Sequence, residues 1–436
     1  MKPTTGPITI LLYLLFYLTL AAQNDIPSRI TERSQHFATN ITKENIKEVL
    51  SLFDKGATIL PEYHNSLNGR LAIGEYYEAF FEKTSTSKFS KTPFEIQAIG
   101  ALYLELGTFE HIYETPQGKE FEYIGKYSTY WTISDRGEPQ VMAHIWGASN
   151  YFAAENVDFI KVETEKSKVM EPVTVLEKKI EEHRKLVYDA VLSRDAKKQL
   201  TSYAKDAIYM TYYDPPFVGK DQITDYFNAH NNPDAPLESL MTKVVKVIDL
   251  DLYTLRFGEY YVEWIYEGNR FFITGKGLTL LKNSENGPLL IYRQMINHSI
   301  PATPIHQADK LRVKELLLHL DDQDIDIDAY LSVYIDDGLL VMPPGHERIR
   351  HKDDFKSYLR SERQKGHLTI EHFAHEIQSL NTIVLVSGGS TGQFKPLDKT
   401  GTYSFETNNL MVLERTIDGQ LKVAKLIWNL GANEKK

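Results

Sequence analysis

The 436-residue sequence contains no cysteine. Disulfides, thiolate zinc sites, iron–sulfur clusters and cysteine nucleophiles are therefore excluded. Basic residues are not in excess, because 49 Lys and Arg stand against 59 Asp and Glu, which gives a formal net charge of −10. No segment concentrates basic residues enough to follow a phosphate backbone, so nucleic acid is not an expected partner. With 42% hydrophobic and 25% charged residues, the chain has the composition of a folded globular protein.

The longest apolar run is too short for a transmembrane helix. It extends over about 15 residues, from Ile8 to Ala22, whereas a bilayer-spanning helix needs roughly 20. Lys2 precedes it, and the polar Gln23 follows the small residues at its end. This layout is typical of a secretory signal peptide over residues 1–23. We therefore expect a periplasmic or secreted protein with no stable membrane span after cleavage.

The rest of the chain repeats itself three times. Displacing the sequence by 150 and then by a further 132 residues places similar residues on one another. The aligned turn positions are Gly69, Gly219 and His351. A basic residue follows each of them, and a tyrosine lies seven residues past each of them: Tyr76, Tyr226 and Tyr358. Chance agreement at so many fixed offsets is improbable, so the repeats are predicted to cover residues 28–152, 174–300 and 308–432.

Each repeat is predicted to place helices before an antiparallel sheet. Apolar spacing of three and four residues after the turn position predicts a helix there. Near the end of each repeat a glycine follows a polar residue, as expected for a hairpin turn, at Gly137, Gly287 and Gly419. The predicted fold class is α+β. Residues 162–168 and the proline-containing residues 298–304 have the composition of linkers.

Each repeat resembles a nuclear transport factor 2-like domain of the SnoaL-like and ketosteroid isomerase-like kind. The motifs that carry the resemblance are Thr58-Ile59-Leu60-Pro61, the segment Gly69 to Tyr77, the segment Gly125 to Trp131, and His144-Ile145-Trp146, with echoes in Val341-Met342-Pro343 and Lys425 to Asn429. The resemblance implies three tandem cone-shaped domains, in which helices cap a curved sheet around a pocket. That superfamily includes enzymes, binding modules and assembly domains, so the resemblance leaves the function open.

The residues argue against ketosteroid isomerase chemistry. In those enzymes the general base is an aspartate nine residues before the turn glycine, and the corresponding residues here are Leu60, Met210 and Met342. None of the three can accept a proton. The second acid of the family would fall near Thr129, Thr279 and Met411. Whether the protein is an enzyme of another kind stays open.

The final hairpin of the first repeat suggests a pocket. If Arg136 and Gly137 form a two-residue loop, the cross-strand pairs are Trp131 with Met142, Thr129 with His144, and Tyr127 with Trp146. His144 is then the one titratable group on an aromatic face and a candidate general acid or base. The alternative interpretation is a hydrogen-bonded core or surface histidine. Gln294 and Leu426 take its place in the other repeats.

A loop before the turn adds polar residues at matching offsets, namely His64, Asp214 and His346, with Tyr63 and Tyr213 beside two of them. These residues are expected either to line a pocket mouth or to be solvated. The predicted ligand pocket of the first repeat therefore comprises Tyr63, His64, Tyr127, His144 and Trp146.

Two patterns resemble metal sites but are interpreted otherwise. His372 and His375 lie in a predicted strand, where residues three apart point to opposite faces. Asp324, Asp326 and Asp328 lack the glycine and glutamate of a calcium-binding loop and are interpreted as a solvated loop. No metal and no cofactor is expected.

Both faces of the predicted sheets are apolar. Opposite the aromatic face, the first repeat places Tyr130, Val141, Ala143 and Ile145, and the third repeat places Val412, Val423, Lys425 and Ile427. One face covers the pocket, so the other needs a partner. The resemblance implies back-to-back packing of sheets within the chain. Three repeats leave one sheet unpaired, which suggests a homodimer.

The favoured function is therefore a secreted binding protein for a small apolar or aromatic molecule, or an assembly protein. The alternative is an enzyme of the isomerase, lyase or hydrolase type, with His144 and Tyr127 acting in the first repeat.

Overall fold

The computed structural model describes residues 26–162, 164, 167–231, 237–283, 287–322, 324–341, 349, 351–397 and 401–430. The predicted leader over residues 1–23, Met342 and His346 lie outside these ranges. Within the described ranges, no helix is both long enough and apolar enough to span a bilayer.

The first repeat folds as three helices on a six-stranded sheet. Its helices are α1 (residues 26–42), α2 (Ile46–Ser51) and α3 (Gly69–Lys83). Its strands are β1 (Phe53–Leu60), β2 (Leu67–Asn68), β3 (Ser85–Ile99), β4 (Leu102–Glu114), β5 (Glu120–Ile133) and β6 (Pro139–Ala148), in the order β2-β1-β6-β5-β4-β3. Strand β1 is parallel to β6, and the hairpins β3–β4, β4–β5 and β5–β6 are antiparallel.

The second repeat has the same succession of elements. Its helices are α4 (Val175–Leu192), α5 (Ala196–Leu200) and α6 (Gly219–His230). Its strands are β7 (Tyr203–Met210), β8 (Phe217–Val218), β9 (Leu237–Leu250), β10 (Tyr253–Tyr266), β11 (Asn269–Lys282) and β12 (Leu290–Pro304), in the order β8-β7-β12-β11-β10-β9.

The third repeat completes the series with a five-stranded sheet. Its helices are α7 (Ile305–Asp321), α8 (Ile327–Leu331) and α9 (Lys352–Lys365). Its strands are β13 (Tyr334–Val341), β14 (Gly366–Leu380), β15 (Ile383–Pro396), β16 (Tyr403–Arg415) and β17 (Leu421–Leu430), in the order β13-β17-β16-β15-β14. The α+β prediction is confirmed, because helices pack on each of three separate sheets.

The aligned turn position sets the start of a helix in every repeat. Gly69 and Gly219 have φ values of +82° and +81°, which glycine adopts without steric cost, and helices α3 and α6 begin there. His351, with φ −117°, is instead the N-cap of α9, and it matches the extended N-caps Asn68 and Val218 of the other two helices. The third helix therefore begins one residue after the aligned position, and His351 needs no left-handed backbone.

The hairpin prediction is wrong near its loop and right further along. Ser134 N–H donates to Glu138 O at 2.9 Å, so the loop contains three residues, 135–137, with Gly137 at φ +78°. A β-bulge between Tyr130 and Trp131 then shifts the register by one residue. Trp131 consequently pairs with Val141 and not with Met142, whereas the other two predicted pairs, Tyr127 with Trp146 and Thr129 with His144, are present.

Two β-bulges, one in the first repeat and one in the third, each place a valine on a face other than the predicted one. Val141 packs in the same core cluster as Trp131, on the helix side of the first sheet, and not opposite it as predicted. A matching irregularity between Val412 and Leu413 places Val423 in the helix-side core of the third repeat. Tyr130, Ala143 and Ile145 do lie in a separate cluster, on the other face.

The chain divides into two compact units. Unit 1 comprises residues 1–231, 242–259 and 275–301, and unit 2 comprises residues 232–241, 260–274 and 302–436. The predicted second linker, residues 298–304, is instead the end of strand β12, and α7 starts at the next residue. Proline does not require a linker here, because its φ near −65° is also compatible with extended backbone.

Within unit 1 the first two sheets pack back to back, as predicted. Residues of both sheets share one core cluster, to which Tyr130 and Ile145 contribute from the first and Leu280 and Met295 from the second. An ion pair also joins the two sheets. The Arg293 guanidinium pairs with the Glu95 carboxylate at 3.0 Å.

Candidate functional site

The predicted pocket of the first repeat is a small aromatic cavity of about 60 Å³. It lies between the sheet and helices α1 and α3. Its walls include three of the five predicted residues, Tyr127, His144 and Trp146. A cavity of this volume accommodates a few water molecules, whereas pockets for drug-sized ligands measure roughly 300–1,000 Å³.

His144 is buried within this cavity wall and is 6% exposed. Its Nδ1 lies 2.8 Å from Thr129 Oγ1, and its ring stacks on Trp146 with 5.0 Å between centroids. Burial, and next the charge of Lys91, hold the pKa of His144 well below its usual value. The ring is therefore neutral at physiological pH, and it is well ordered by its neighbours.

A buried carboxylate, that of Glu105, is the centre of a hydrogen-bond network in this repeat. Glu105 is 0% exposed and accepts hydrogen bonds from Ser34 at 2.7 Å, Tyr127 at 2.6 Å and Trp131 at 2.8 Å. Lys91 Nζ lies 3.8 Å from the same carboxylate. Sequence reasoning missed Glu105, although a lone acid inside the apolar segment Leu102–Leu106 was an available signal.

The two remaining predicted pocket residues lie elsewhere. Tyr63 and Tyr213 join the first two repeats at the seam of unit 1, where their hydroxyl oxygens are 2.5 Å apart. His64 packs edge-on against the Tyr76 ring, and burial lowers its pKa. Neither Tyr63 nor His64 is among the residues lining the first-repeat cavity. Asp214 acts at a distance on the buried Lys126.

A much larger cavity, of about 530 Å³, occupies the third repeat within unit 2. Its walls are mostly aromatic and aliphatic, and they include Tyr330, Tyr334, Phe355, Tyr358, Leu359, Phe394, Phe405, Leu426 and Trp428. Helices α8 and α9 form one side, and the concave faces of β14 to β17 form the other. Its volume falls within the usual range for a site that encloses a small organic molecule.

A polar ladder crosses the sheet side of this third-repeat cavity. Ser390 Oγ lies 2.6 Å from Thr407 Oγ1, and Thr407 in turn donates to Asn409 Oδ1 at 2.8 Å. All three side chains are buried and line the cavity. The Asn409 amide nitrogen has no acceptor among the described residues, so it is available to a ligand.

A histidine–aspartate pair adds a second polar group. His372 Nδ1 lies 2.7 Å from Asp321 Oδ1, and the same oxygen accepts the His372 main-chain N–H at 2.8 Å. The carboxylate fixes the ring orientation and leaves Nε2 as the nitrogen without a protein partner in the described part of the chain. His372 lines the cavity, whereas the neighbouring His375 is exposed and packs against Phe373.

Sequence reasoning underestimated this third-repeat site. Ser390 lies in Gly388-Gly389-Ser390-Thr391-Gly392. This segment matches the Gly-x-Ser-x-Gly motif of a nucleophile elbow, but it lies inside strand β15. An elbow needs a sharp strand-to-helix turn, so this serine is a wall residue. His372 was considered only as a metal ligand.

No group of three or more candidate metal ligands occurs among the described residues. The acidic residues 324–328 lie between α7 and α8 and extend into α8. Asp326 caps α8, where its carboxylate accepts from the Asp328 and Ala329 N–H groups. The alternate aspartates are thus explained by a helix start.

The sequence matches no family model and no curated protein. Among solved structures, it is similar to a conserved protein from Planctomyces limnophilus, with 14% identity over 29% of this chain and 98% of that one and a TM-score of 0.27. A ketosteroid isomerase-like protein from Erwinia carotovora atroseptica matches with 17% identity over 28% and 95% of the chains and a TM-score of 0.26. A protein of unknown function from Mycobacterium tuberculosis matches with 13% identity over 34% and 79% and a TM-score of 0.26.

Proposed function

We propose that the third repeat binds a small, largely apolar or aromatic molecule that carries one or two polar groups. The observation that carries this proposal is the cavity of about 530 Å³, which combines aromatic walls with a few buried polar groups. Apolar surface supplies the free energy of binding, and the polar groups orient the ligand.

Two polar positions are expected to recognise the ligand. The Asn409 amide nitrogen offers a donor, and the free Nε2 of His372 offers an acceptor in the neutral ring and a donor in the protonated ring. Ligands with a hydroxyl or carbonyl on an aromatic or alicyclic frame fit this pattern. The first-repeat cavity is smaller by almost a factor of nine, and we assign it no separate ligand here.

A thermal-shift screen of the full chain against steroids, hydroxylated aromatics and fatty acids tests the proposal. A ligand that binds the native state raises the melting temperature. Calorimetric titration of a hit should then show about tenfold weaker binding for Asn409→Leu. Asn408→Leu is the matched control, because Asn408 is the exposed neighbour on the same strand. Equal losses in the two variants, or no hit with well-folded protein, would contradict the proposal.

The Asp321–His372 pair favours a second candidate function, proton transfer on the bound ligand. An imidazole whose Nδ1 is held by a carboxylate presents Nε2 as a general base or acid. If the protein is an enzyme, His372→Gln should abolish turnover of the ligand, and His375→Gln should not. If it only binds, His372→Gln changes affinity and no product forms with the native chain.

The homodimer and the secreted location stay predictions. On the outer face of the third sheet, Leu410 is 41% exposed, and Val412 and Ile427 are partly exposed. A second copy that covers this face would shield them from water. A monomer mass in light scattering would contradict the dimer.

A further inference from the structure

The interior of the second repeat contains a buried cation without a counter-charge. Arg256, on strand β10, is 9% exposed. Its one hydrogen bond is long, with 3.4 Å between Nη2 and Thr279 Oγ1, and its Nη1 is buried without a partner. No carboxylate of the described chain forms an ion pair with this guanidinium. Buried charges in proteins are normally paired, because desolvating an unpaired charge costs several kcal/mol.

The described polar side chains that contact or neighbour Arg256 inside this repeat are neutral. Thr279 Oγ1 accepts from Arg256 and also from Gln294 Nε2 at 3.1 Å, so its own proton has no acceptor among the described residues. The Gln294 carbonyl accepts from the Tyr203 hydroxyl at 2.6 Å. The Thr279 proton and the Arg256 Nη1 protons are thus the donors left without an acceptor among the described residues.

The described acid that acts on Arg256 is engaged elsewhere. Glu181, on helix α4, is partly exposed and forms an ion pair with Arg184 on the same helix. It acts on Arg256 only at a distance. Burial lowers the pKa of Arg256 to about 10, and burial together with the Arg256 charge lowers the pKa of His183 to about 3. His183 is thus neutral, and its ring has one N–H donor and one acceptor nitrogen.

The strand position of Arg256 is occupied by an acid in the first repeat. Glu105 is the fourth residue of β4, and Arg256 is the fourth residue of β10. Glu105 is surrounded by donors, whose bonds its carboxylate accepts. In the second repeat a cation takes the place of the acid, and no carboxylate of the described residues pairs with it.

We propose that the second repeat binds a small monovalent anion, of about the size of chloride or formate, on the unpartnered side of the Arg256 guanidinium. The anion accepts from Arg256 Nη1 and from the Thr279 hydroxyl, and it neutralises the buried charge. This site lies entirely in unit 1 and is independent of the ligand proposed for the third repeat.

Anion-dependent melting of the full chain tests the site. At constant ionic strength, replacing gluconate, which is too large to enter, by chloride should raise the melting temperature saturably. The rise should reach roughly 2–5 °C once chloride exceeds its Kd about tenfold. Arg256→Met should abolish the difference between the two salts. Arg184→Met is the matched control, because it removes a solvent-accessible arginine nearby, and it should keep the difference.

A second measurement needs no variant. Crystals grown in bromide should show an anomalous peak within hydrogen-bond distance, about 3.3 Å, of the Arg256 guanidinium. A peak there supports the site even if Arg256→Met does not fold. Identical melting in chloride and gluconate, together with no bromide peak at Arg256, would overturn the proposal.

Discussion

At the scale of single residues, the interiors of the three repeats differ in the charge of the side chain at one strand position. The fourth residue of the corresponding strand is Glu105 in the first repeat, Arg256 in the second and Val386 in the third. All three side chains are buried. An acid, a base and an apolar residue at one position of a common fold change what each interior can hold. The third interior, with no charge at this position, is the one with the large cavity.

The buried acid of the first repeat should contribute strongly to stability. Glu105→Gln replaces a carboxylate that accepts three hydrogen bonds, and it leaves the buried Lys91 without its ion-pair partner. We expect the free energy of unfolding to fall by about 2–4 kcal/mol. Urea denaturation measures this loss.

Glu110→Gln provides the control for this change. Glu110 pairs with Lys88 at 2.6 Å on the same strand pair, but both side chains are partly exposed. Surface ion pairs contribute about 0.2–1 kcal/mol. Comparable losses in the Glu105 and Glu110 variants would show that burial does not determine the effect.

At the scale of elements, local patterns predicted helices and strands better than their register. The turn glycines correctly placed the starts of α3 and α6, because positive φ is a local property of the backbone. The hairpin loop was assigned one residue too short, and a β-bulge then compensated for the error. Two of the three predicted pairs were therefore right, and the Trp131 pair was wrong. A bulge depends on packing across the sheet and has no reliable local signal.

The hairpin glycine should be required for its backbone conformation alone. Gly137 has φ +78° and no neighbouring atom within 4 Å of an added Cβ. Gly137→Ala should therefore cost roughly 1–2 kcal/mol through left-handed backbone strain. Gly56→Ala is the control, because Gly56 lies in strand β1 outside the left-handed region and its added Cβ would make an ordinary 3.6 Å contact. Thermal melting of the two variants checks the difference, and equal melting temperatures would refute the argument.

At the scale of the whole molecule, the sequence revealed the repeats but not which repeat encloses space. Motif comparison drew attention to His144, whose cavity measures about 60 Å³, and passed over the third-repeat cavity of about 530 Å³. A motif is local, whereas a cavity depends on the side-chain volumes of distant elements taken together. His372 and Asp321, 51 residues apart, meet only in the folded chain.

The seam of unit 1 also depends on distant pairs. Lys126 and Lys276, at matching positions of the first two repeats, are both buried, and each donates to a main-chain carbonyl of its own repeat, Ala148 O and His298 O. Glu62 acts on both lysines, Asp214 also acts on Lys126 and Glu259 also acts on Lys276, and the second repeat has Tyr212 at the position that matches Glu62. Two copies of the second repeat would bring together two buried lysines without this acid. The loss of Glu62 therefore disfavours the pairing of two second repeats at this seam.

Buried neutral histidines should make unit 1 sensitive to mild acid. Four of them lie there, namely His111, His144, His183 and His298. Burial is the main cause that lowers the pKa of three of these residues to about 3 and the pKa of His144 well below its usual value. In the unfolded chain each ring titrates near 6.5. Because the unfolded state binds more protons below that value, stability is present above pH 6.5 and is lost as the pH falls toward 3.

Each histidine should remove about 1 kcal/mol of unfolding free energy between pH 6.5 and pH 5.5, so unit 1 should lose about 4 kcal/mol in total. Lys126 and Lys276, with pKa values lowered by burial to about 8 and about 7, are protonated in both states over most of this window and contribute little. The raised pKa of the buried Glu62 acts in the opposite direction, because the folded state then takes up the proton. Urea denaturation at the two pH values measures the slope, and His111→Gln should reduce it by about a quarter. A flat stability profile between pH 6.5 and pH 5.5 would mean that these rings are accessible to protons in the folded chain.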